Sequence, residues 1–356
     1  MLSLLVSVLF IVAVRCDDDF VVGGYLPDYR TYININATAP HLTDLMLFSL
    51  TPESVLQYAS PESGKSSEVC CLSSDHYDQI RKAKAYKKDH VLKKDENLRL
   101  LLTVGGGERS KGFEDVVMGS THLKEKFVKG LVKVCQAEEL DGIDLDFQGA
   151  HTIEMWKAFL NFINFISEHL HKKNLLLTVA LHPGQFLPSN ICKNVDRVHL
   201  MTYDMQPSSD DERKHHANMQ AVTEAVKRFT HQKGCDASKL VVGIPGYGRN
   251  ELNSHVKTYS EMIDEQLGSD NDNSDVIKKV KDSLRALHMH TWKGYHFDSL
   301  EDVKKKVRYA KRQGLGGIFL WELGQDRQLE GVADGGILLE TMSSEAKYEN
   351  SKKEEL

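Results

Sequence analysis

Asp141-Gly142-Ile143-Asp144-Leu145-Asp146-Phe147-Gln148 is the most chemically loaded segment of the chain. Asp144, Asp146 and Gln148 lie two residues apart, so an extended strand projects all three to one side and turns Ile143, Leu145 and Phe147 to the other. Two carboxylates this close repel, which drives one pKa upward and lets the pair share a proton. Buried ionised carboxylates are costly unless paired or hydrogen-bonded, so stability alone does not account for them. The outline is that of an acid/base site. Asp141 has the opposite parity and is expected to brace backbone or a helix. The competing picture, an edge strand with a solvated acidic face, fits poorly with the apolar Leu140 and Ile143 beside it.

Such a strand needs a scaffold. Apolar, β-branched runs recur at 20–25, 44–49, 98–104, 142–147, 175–181, 197–203, 240–245 and 316–321. Helical patterns at 76–91, 123–137, 153–171, 219–232 and 300–313 separate several of them. Near-continuous apolar strands alternating with helices indicate a parallel sheet covered by helices, and eight of them indicate an α/β fold of the (β/α)8 barrel type in a single domain. In a barrel the acidic set points into the interior or its C-terminal mouth, where active sites lie. Ser299 is an N-cap for the last patterned helix, and Gly314 stands at its C-terminal end. The crossover 182–196 is too short for an ordinary helix. The 249–297 stretch, between the seventh and eighth strands, is long enough for an irregular insertion with short helices near 260–267 and 275–286. An open doubly wound sheet is the rival, but no Gly-rich dinucleotide fingerprint follows the first strand.

Composition narrows the class. The 356 residues carry 45 Lys plus Arg against 51 Asp plus Glu, a formal net charge of −6, which argues against nucleic-acid binding. With 41% hydrophobic residues and only 8 Pro, the chain is globular rather than disordered. The apolar stretch from Leu2 to Val14 has the length of a secretory h-region and falls short of the ~18 residues that span a bilayer, so 1–16 is read as a cleaved signal, 17–340 as the barrel and 341–356 as a polar tail. No membrane span is expected after signal removal. The tail ends in Lys353-Glu354-Glu355-Leu356, one acidic exchange from the endoplasmic-reticulum retention signal, which implies a lumenal address and a retention receptor, with secretion as the alternative. Of six cysteines, Cys16 leaves with the signal; Cys70, Cys71, Cys135, Cys192 and Cys235 permit one or two disulfides in an oxidising lumen, and no pairing follows from sequence. Asn36-Ala37-Thr38 is the sole glycosylation sequon, in polar surroundings that suit a surface loop. There is no CxxC, and neither His215-His216 nor the histidines at 288 and 290 have the company of a metal site, so no metal and no cofactor are expected.

The octet resembles the DGxDxDxE signature of family 18 glycoside hydrolases, the chitinases and chitinase-like proteins, with Gln148 in place of the family's catalytic Glu. Thr103-Val104-Gly105-Gly106 is similar to the SxGG segment, and Met201-Thr202-Tyr203-Asp204 to MxYD. The runs from Val242 to Arg249 and from Gly316 to Glu322 resemble the family's seventh and eighth strand endings. The resemblance covers about 21–326. It implies substrate-assisted cleavage of β-linked N-acetylglucosamine, in which the sugar's own acetamide attacks its anomeric carbon, a departure from the two-carboxylate scheme.

By resemblance, Asp146 holds the acetamide N–H, Asp144 tunes Asp146, Tyr203 donates its hydroxyl to the acetamide oxygen and Asp204 supports it. Trp321 forms the floor under the sugar, while Tyr25, Arg249 and Met201 belong to the same ligand-binding cleft. Glu322, next to Trp321, is turned away by strand alternation. Gly107 and Gly149 stand where the family often has larger, aromatic residues, implying a shallower or wider cleft. An amide at 148 keeps the shape of a carboxyl but has no proton to give a departing alkoxide at neutral pH, and general-acid catalysis is typically worth ~10² to 10⁴ in rate. The first expectation is therefore a catalytically impaired chitinase-like protein that binds N-acetylglucosamine-containing glycans. An active family 18 glycosidase is the second, and a non-catalytic interaction scaffold the third.

Overall fold

The computed structural model describes residues 20–60, 72–90, 98–149, 152–185, 187–205, 215–250, 254–267 and 290–354. The signal at 1–16, Cys70, Cys71, the expected helix at 275–286 and the last two residues lie outside them.

Eight parallel strands close into a barrel: β1 (Val21–Pro27), β2 (Asp44–Leu50), β3 (Arg99–Gly105), β4 (Gly142–Asp146), β5 (Leu176–Leu181), β6 (Arg197–Leu200), β7 (Leu240–Pro245) and β12 (Gly317–Trp321). Closure is made by β12 pairing with β1, Val21 opposite Gly317. The fold is the expected single-domain (β/α)8 barrel. Alternation sorts the side chains into two layers. On β4, Ile143 and Leu145 join the core between sheet and helices. The barrel interior instead holds Val21, Tyr25, Met46, Leu101, Val241 and Phe319, with Asp144 and Asp146 among them fully buried. Gly243 makes room for that interior, since a Cβ there would lie 2.7 Å from both the Phe319 and Tyr203 rings.

The two ends of the barrel differ. At the N-terminal end the buried Asp44 receives Arg99 Nε at 2.6 Å and also pairs with Arg197, so its charge is compensated. The acids of β4 reach the opposite end, where no cation is paired with Asp146 among the described residues.

The helix Leu300–Arg312 begins with a reciprocal capping box between Ser299 and Asp302. Among its described residues the crossover at 182–196 has no helix; it is tied by a disulfide from Cys192 to Cys235 and by Lys239 Nζ, which donates to the carbonyls of Lys193 at 3.0 Å and Val195 at 2.8 Å. Cys135 is a free, buried thiol. The insertion after β7 contains the helix Tyr259–Leu267, as expected near 260–267, and, beyond that expectation, a small antiparallel sheet of β8 (Tyr247–Asn250), β9 (Val256–Thr258), β10 (Thr291–Trp292) and β11 (Tyr295–His296). Lys293 and Gly294, both at positive φ, form its two-residue hairpin turn.

The helix Ile337–Glu354 runs through the boundary at 341 from which the polar tail was drawn. Met342, Ser343, Glu345 and Ala346 are buried on it, and Arg308 Nε donates to Glu345 at 2.6 Å, which docks the helix on the barrel. No helix among the described residues is long and apolar enough to cross a membrane.

Candidate active site

Asp144 sits beneath the barrel mouth with its oxygens saturated. Thr178 donates to Oδ1 at 2.5 Å, while Tyr25 and Thr103 donate to Oδ2 at 2.9 and 3.2 Å. His199 Nδ1 lies 3.2 Å from Oδ1 and 2.8 Å from the Tyr25 hydroxyl. Burial works against the charge, but the pull of His199 and these hydrogen bonds outweigh it and hold the carboxyl below its usual range.

Asp146 is one layer higher and lacks that support. Gln148 Nε2 lies 3.0 Å from each of its oxygens. Burial pushes the Asp146 carboxyl up to about 7; the Gln148 amide opposes the rise and the nearby Asp144 charge adds to it. The turn after β4 is clipped to Gly107–Ser110: Ser110 Oγ donates to the Asp146 carbonyl at 3.1 Å and accepts from Gln148 N at 3.2 Å. Gly106 packs so closely, at φ +85°, that a Cβ would lie 2.4 Å from the Phe48 ring and 2.9 Å from Asp146 Oδ2. Only glycine fits there without displacing the carboxylate.

After β6 the chain places Tyr203 and Asp204 on the opposite wall. Tyr203 is buried at the cavity wall, and burial raises its pKa well above the usual range, so its hydroxyl remains a donor. His182 Nδ1 accepts from Gly184 N at 3.0 Å, which leaves Nε2 to donate to the Tyr203 carbonyl at 3.1 Å. Asp204 Oδ1 receives Tyr247 Oη at 2.6 Å and Arg249 Nε at 2.5 Å. Burial opposes its charge, but His216, Arg249 and Tyr247 overcome this and hold the carboxyl well below its usual range.

The floor is aromatic. Half-buried Trp321 packs against Tyr25 and Phe48, with ring centroids 5.3 and 4.9 Å apart. Above it opens a cavity of about 1040 Å³ whose walls include Asp146, Gln148, Met201, Tyr203, Asp204 and Trp321. An apolar floor with an acceptor on one wall and a hydroxyl donor on the other suits a flat sugar bearing an amide.

The sequence matches the Glycosyl hydrolases family 18 over residues 25–326. The chain belongs to glycosyl hydrolases family 18. Chitotriosidase-1 of Mus musculus is 27% identical over 305 residues, covering 71% of this chain and 63% of its own length. Putative chitinase 1 of Margaritifera margaritifera is 25% identical over 276 residues, covering 65% of this chain and 58% of its own length. The chain therefore spans about six tenths of these relatives. Among solved structures, a Glu-to-Gln mutant of the class V chitinase from Nicotiana tobaccum, in complex with NAG4, superposes with a TM-score of 0.66 at 19% identity, covering 92% of this chain and 99% of that one. The chitinase-like agglutinin RobpsCRA from Robinia pseudoacacia does so with 0.65 at 20% identity, with the same two coverages of 92% and 99%. These structural likenesses show the shared barrel.

Within this family 18 barrel, Asp146, Gln148, Met201, Tyr203, Asp204, Tyr25 and Trp321 converge on one cavity. Asp144 lies below it and touches it through Tyr25. Arg249, expected on the cleft wall, is not among the lining residues; it stands behind Asp204 and acts through that carboxylate. Asp141 braces structure, accepting Leu100 N at 2.7 Å and Lys87 Nζ at 2.8 Å. Glu322 is turned from the floor, buried and paired with Arg30 at 2.8 Å. Asn36 is exposed in the four-residue helix Ile35–Thr38, not in a loop; Asn34 caps that turn, and the hydroxyl of buried Thr38 donates to the Asn34 carbonyl at 2.9 Å. His199, Thr178, Phe48 and His182 were not singled out from sequence. His199 shares the parity of Met201 and Tyr203, the signal that could have found it.

Proposed function

We propose that this protein is a catalytically impaired family 18 member that binds N-acetylglucosamine-containing glycans in the cleft over Trp321. The observation that carries the reading is Gln148 Nε2 at 3.0 Å from both Asp146 oxygens: the amide fills the position facing the expected glycosidic bond and has no ionisable proton. Substrate-assisted chemistry needs a proton on the leaving oxygen, and the nearby carboxylates are otherwise engaged, Glu322 with Arg30 and Asp204 with Arg249 and Tyr247. Binding needs only the elements that remain: the Trp321 floor, Asp146 as acceptor for an acetamide N–H and Tyr203 as donor to its oxygen. The chitin-directed names of the relatives and the NAG4 complex of a Glu-to-Gln relative support this ligand class. The same proposal extends to the endoplasmic-reticulum lumen, with export as the alternative, and the Cys192–Cys235 disulfide supports an oxidising compartment.

Residual hydrolysis is the second reading. It draws on Asp146, which at about 7 keeps its proton in about half of the molecules at neutral pH. A fluorogenic chitobioside assay on the natural chain and on Gln148→Glu separates the two. Turnover rising at least ~10²-fold in the variant from a background-level parent supports impairment; equal turnover in both refutes it. Calorimetry with chitotetraose tests the binding half, and no heat at millimolar ligand ends it.

A further inference from the structure

Gln148 shows the cleft two chemically different atoms. Its Nε2 faces Asp146 and lies 3.9 Å from Met201 Sδ, an orientation the ionised Asp146 carboxylate dictates, because Oε1 in that place would meet repulsion. Oε1 is the atom left over. No group among the described residues donates to it, and the side chain is exposed. A glycosidic linkage passing Gln148 therefore meets an acceptor.

Gln148 and Gly107 also line a second, adjoining groove of about 560 Å³, and its character differs from that of the main cavity. Its walls carry Lys111, Glu114 and Asp115, and Gly107 and Gly149 leave backbone exposed; a Cβ at Gly107 would meet nothing within 4 Å. The one ring there among the described residues, Phe147, is buried and packed against Phe113, Trp156 and Phe159. Among the described residues no counterpart of Trp321 offers a flat face on which a further sugar ring would stack. Polar walls with open backbone suit a peptide better than a sugar chain.

With an N-acetyl sugar over Trp321 and its acetamide between Asp146 and Tyr203, the substituent on its anomeric carbon passes Gln148 and enters this groove. An O-glycosidic oxygen only accepts, so it opposes Oε1. A glycosyl amide nitrogen carries an N–H that Oε1 accepts.

We propose that the cleft recognises N-acetylglucosamine joined through a β-N-glycosyl amide to a polypeptide, with Gln148 Oε1 accepting the linking N–H and the peptide lying over Gly107 and Gly149. This rests on the glycan-binding reading above and names its ligand.

The test is calorimetry at pH 8 on the intact chain with three probes: a pentapeptide bearing N-acetylglucosamine β-N-linked to its central Asn, the matching pentapeptide with the sugar β-O-linked to Ser, and chitotetraose. The expected result is at least tenfold tighter binding of the N-linked peptide than of the O-linked one, with the ratio collapsing towards one in Gln148→Ala. Equal affinity for the two peptides in the natural chain, a comparison that needs no variant, overturns the inference. Chitotetraose binding alongside that equality leaves the glycan-binding reading standing, whereas silence from all three probes removes both.

Discussion

Asp144 and Asp146 stand two residues apart on one face of β4, and their surroundings drive them in opposite directions. Thr178, Thr103, Tyr25 and His199 converge on Asp144 and favour its charge, whereas Asp146, equally buried, has one amide for company and rises to about 7. The fixed charge below and the titrating group above divide the strand into a structural acid and a ligand-facing one.

Glycan binding is therefore expected to depend on pH through Asp146. Only its ionised form offers two acceptors to an acetamide N–H and to Gln148. In the free protein that form dominates above about pH 7 and is lost as pH falls through it. Affinity for chitotetraose is expected to be level above pH 8 and to weaken towards tenfold per pH unit well below 7. Calorimetry from pH 5 to 9 checks this; Asp146→Asn is expected to flatten the profile.

Removing the lower acid tests stability instead. Asp144→Ala strands the hydroxyls of Thr103, Thr178 and Tyr25 and the His199 ring in the barrel interior. Loss of one partner from such a buried network is expected to cost about 3–5 kcal/mol. Asp144→Asn keeps the shape and part of the bonding, so it is expected to cost less. Urea unfolding of the two variants beside the parent measures the difference.

Trp321 contributes a flat face to the cavity and edges to Tyr25 and Phe48. Trp321→Ala is expected to weaken chitotetraose binding about 30-fold, the ~2 kcal/mol of an anchoring aromatic residue. Trp321→Phe, which keeps a smaller ring, is expected to fall between. Calorimetry of both variants at pH 8 gives the comparison, and unchanged affinity in Trp321→Ala would remove the floor from the binding scheme.

Much of this architecture was legible before the fold was seen, for identifiable reasons. Each barrel strand is a short apolar run, and the parity of Asp144, Asp146 and Gln148 holds because β4 stays regular to Asp146. His199 escaped notice because a lone histidine in an apolar strand reads as core; its partners Tyr25 and Asp144 are 174 and 55 positions away in the chain. Proximity to a strand end does not reveal which carboxylate captures the Arg249 guanidinium; that partner is Asp204. The small sheet was missed since its strands have two to four residues, too few for alternation to show. Polar residues after Ser343 masked the last helix, although Leu338, Leu339, Met342 and Ala346 lie at helical spacing and bury together.

The Cys192–Cys235 disulfide joins the irregular crossover after β5 to the segment before β7, across 43 residues. A helix would have anchored that crossover through its own hydrogen bonds; here the bridge and the Lys239 ammonium take over. The crossover carries His182 and Gln185, which line the cavity, and His182 fixes the Tyr203 backbone. Replacing both cysteines by alanine is expected to cost about 2–4 kcal/mol, as for loops of this length. Because the freed segment forms a cavity wall, chitotetraose affinity is expected to fall with it, whereas a bridge of purely global effect would lower the melting temperature and leave affinity untouched. Calorimetric binding and thermal unfolding of the double variant, each repeated on the natural chain under a reductant, distinguish these outcomes.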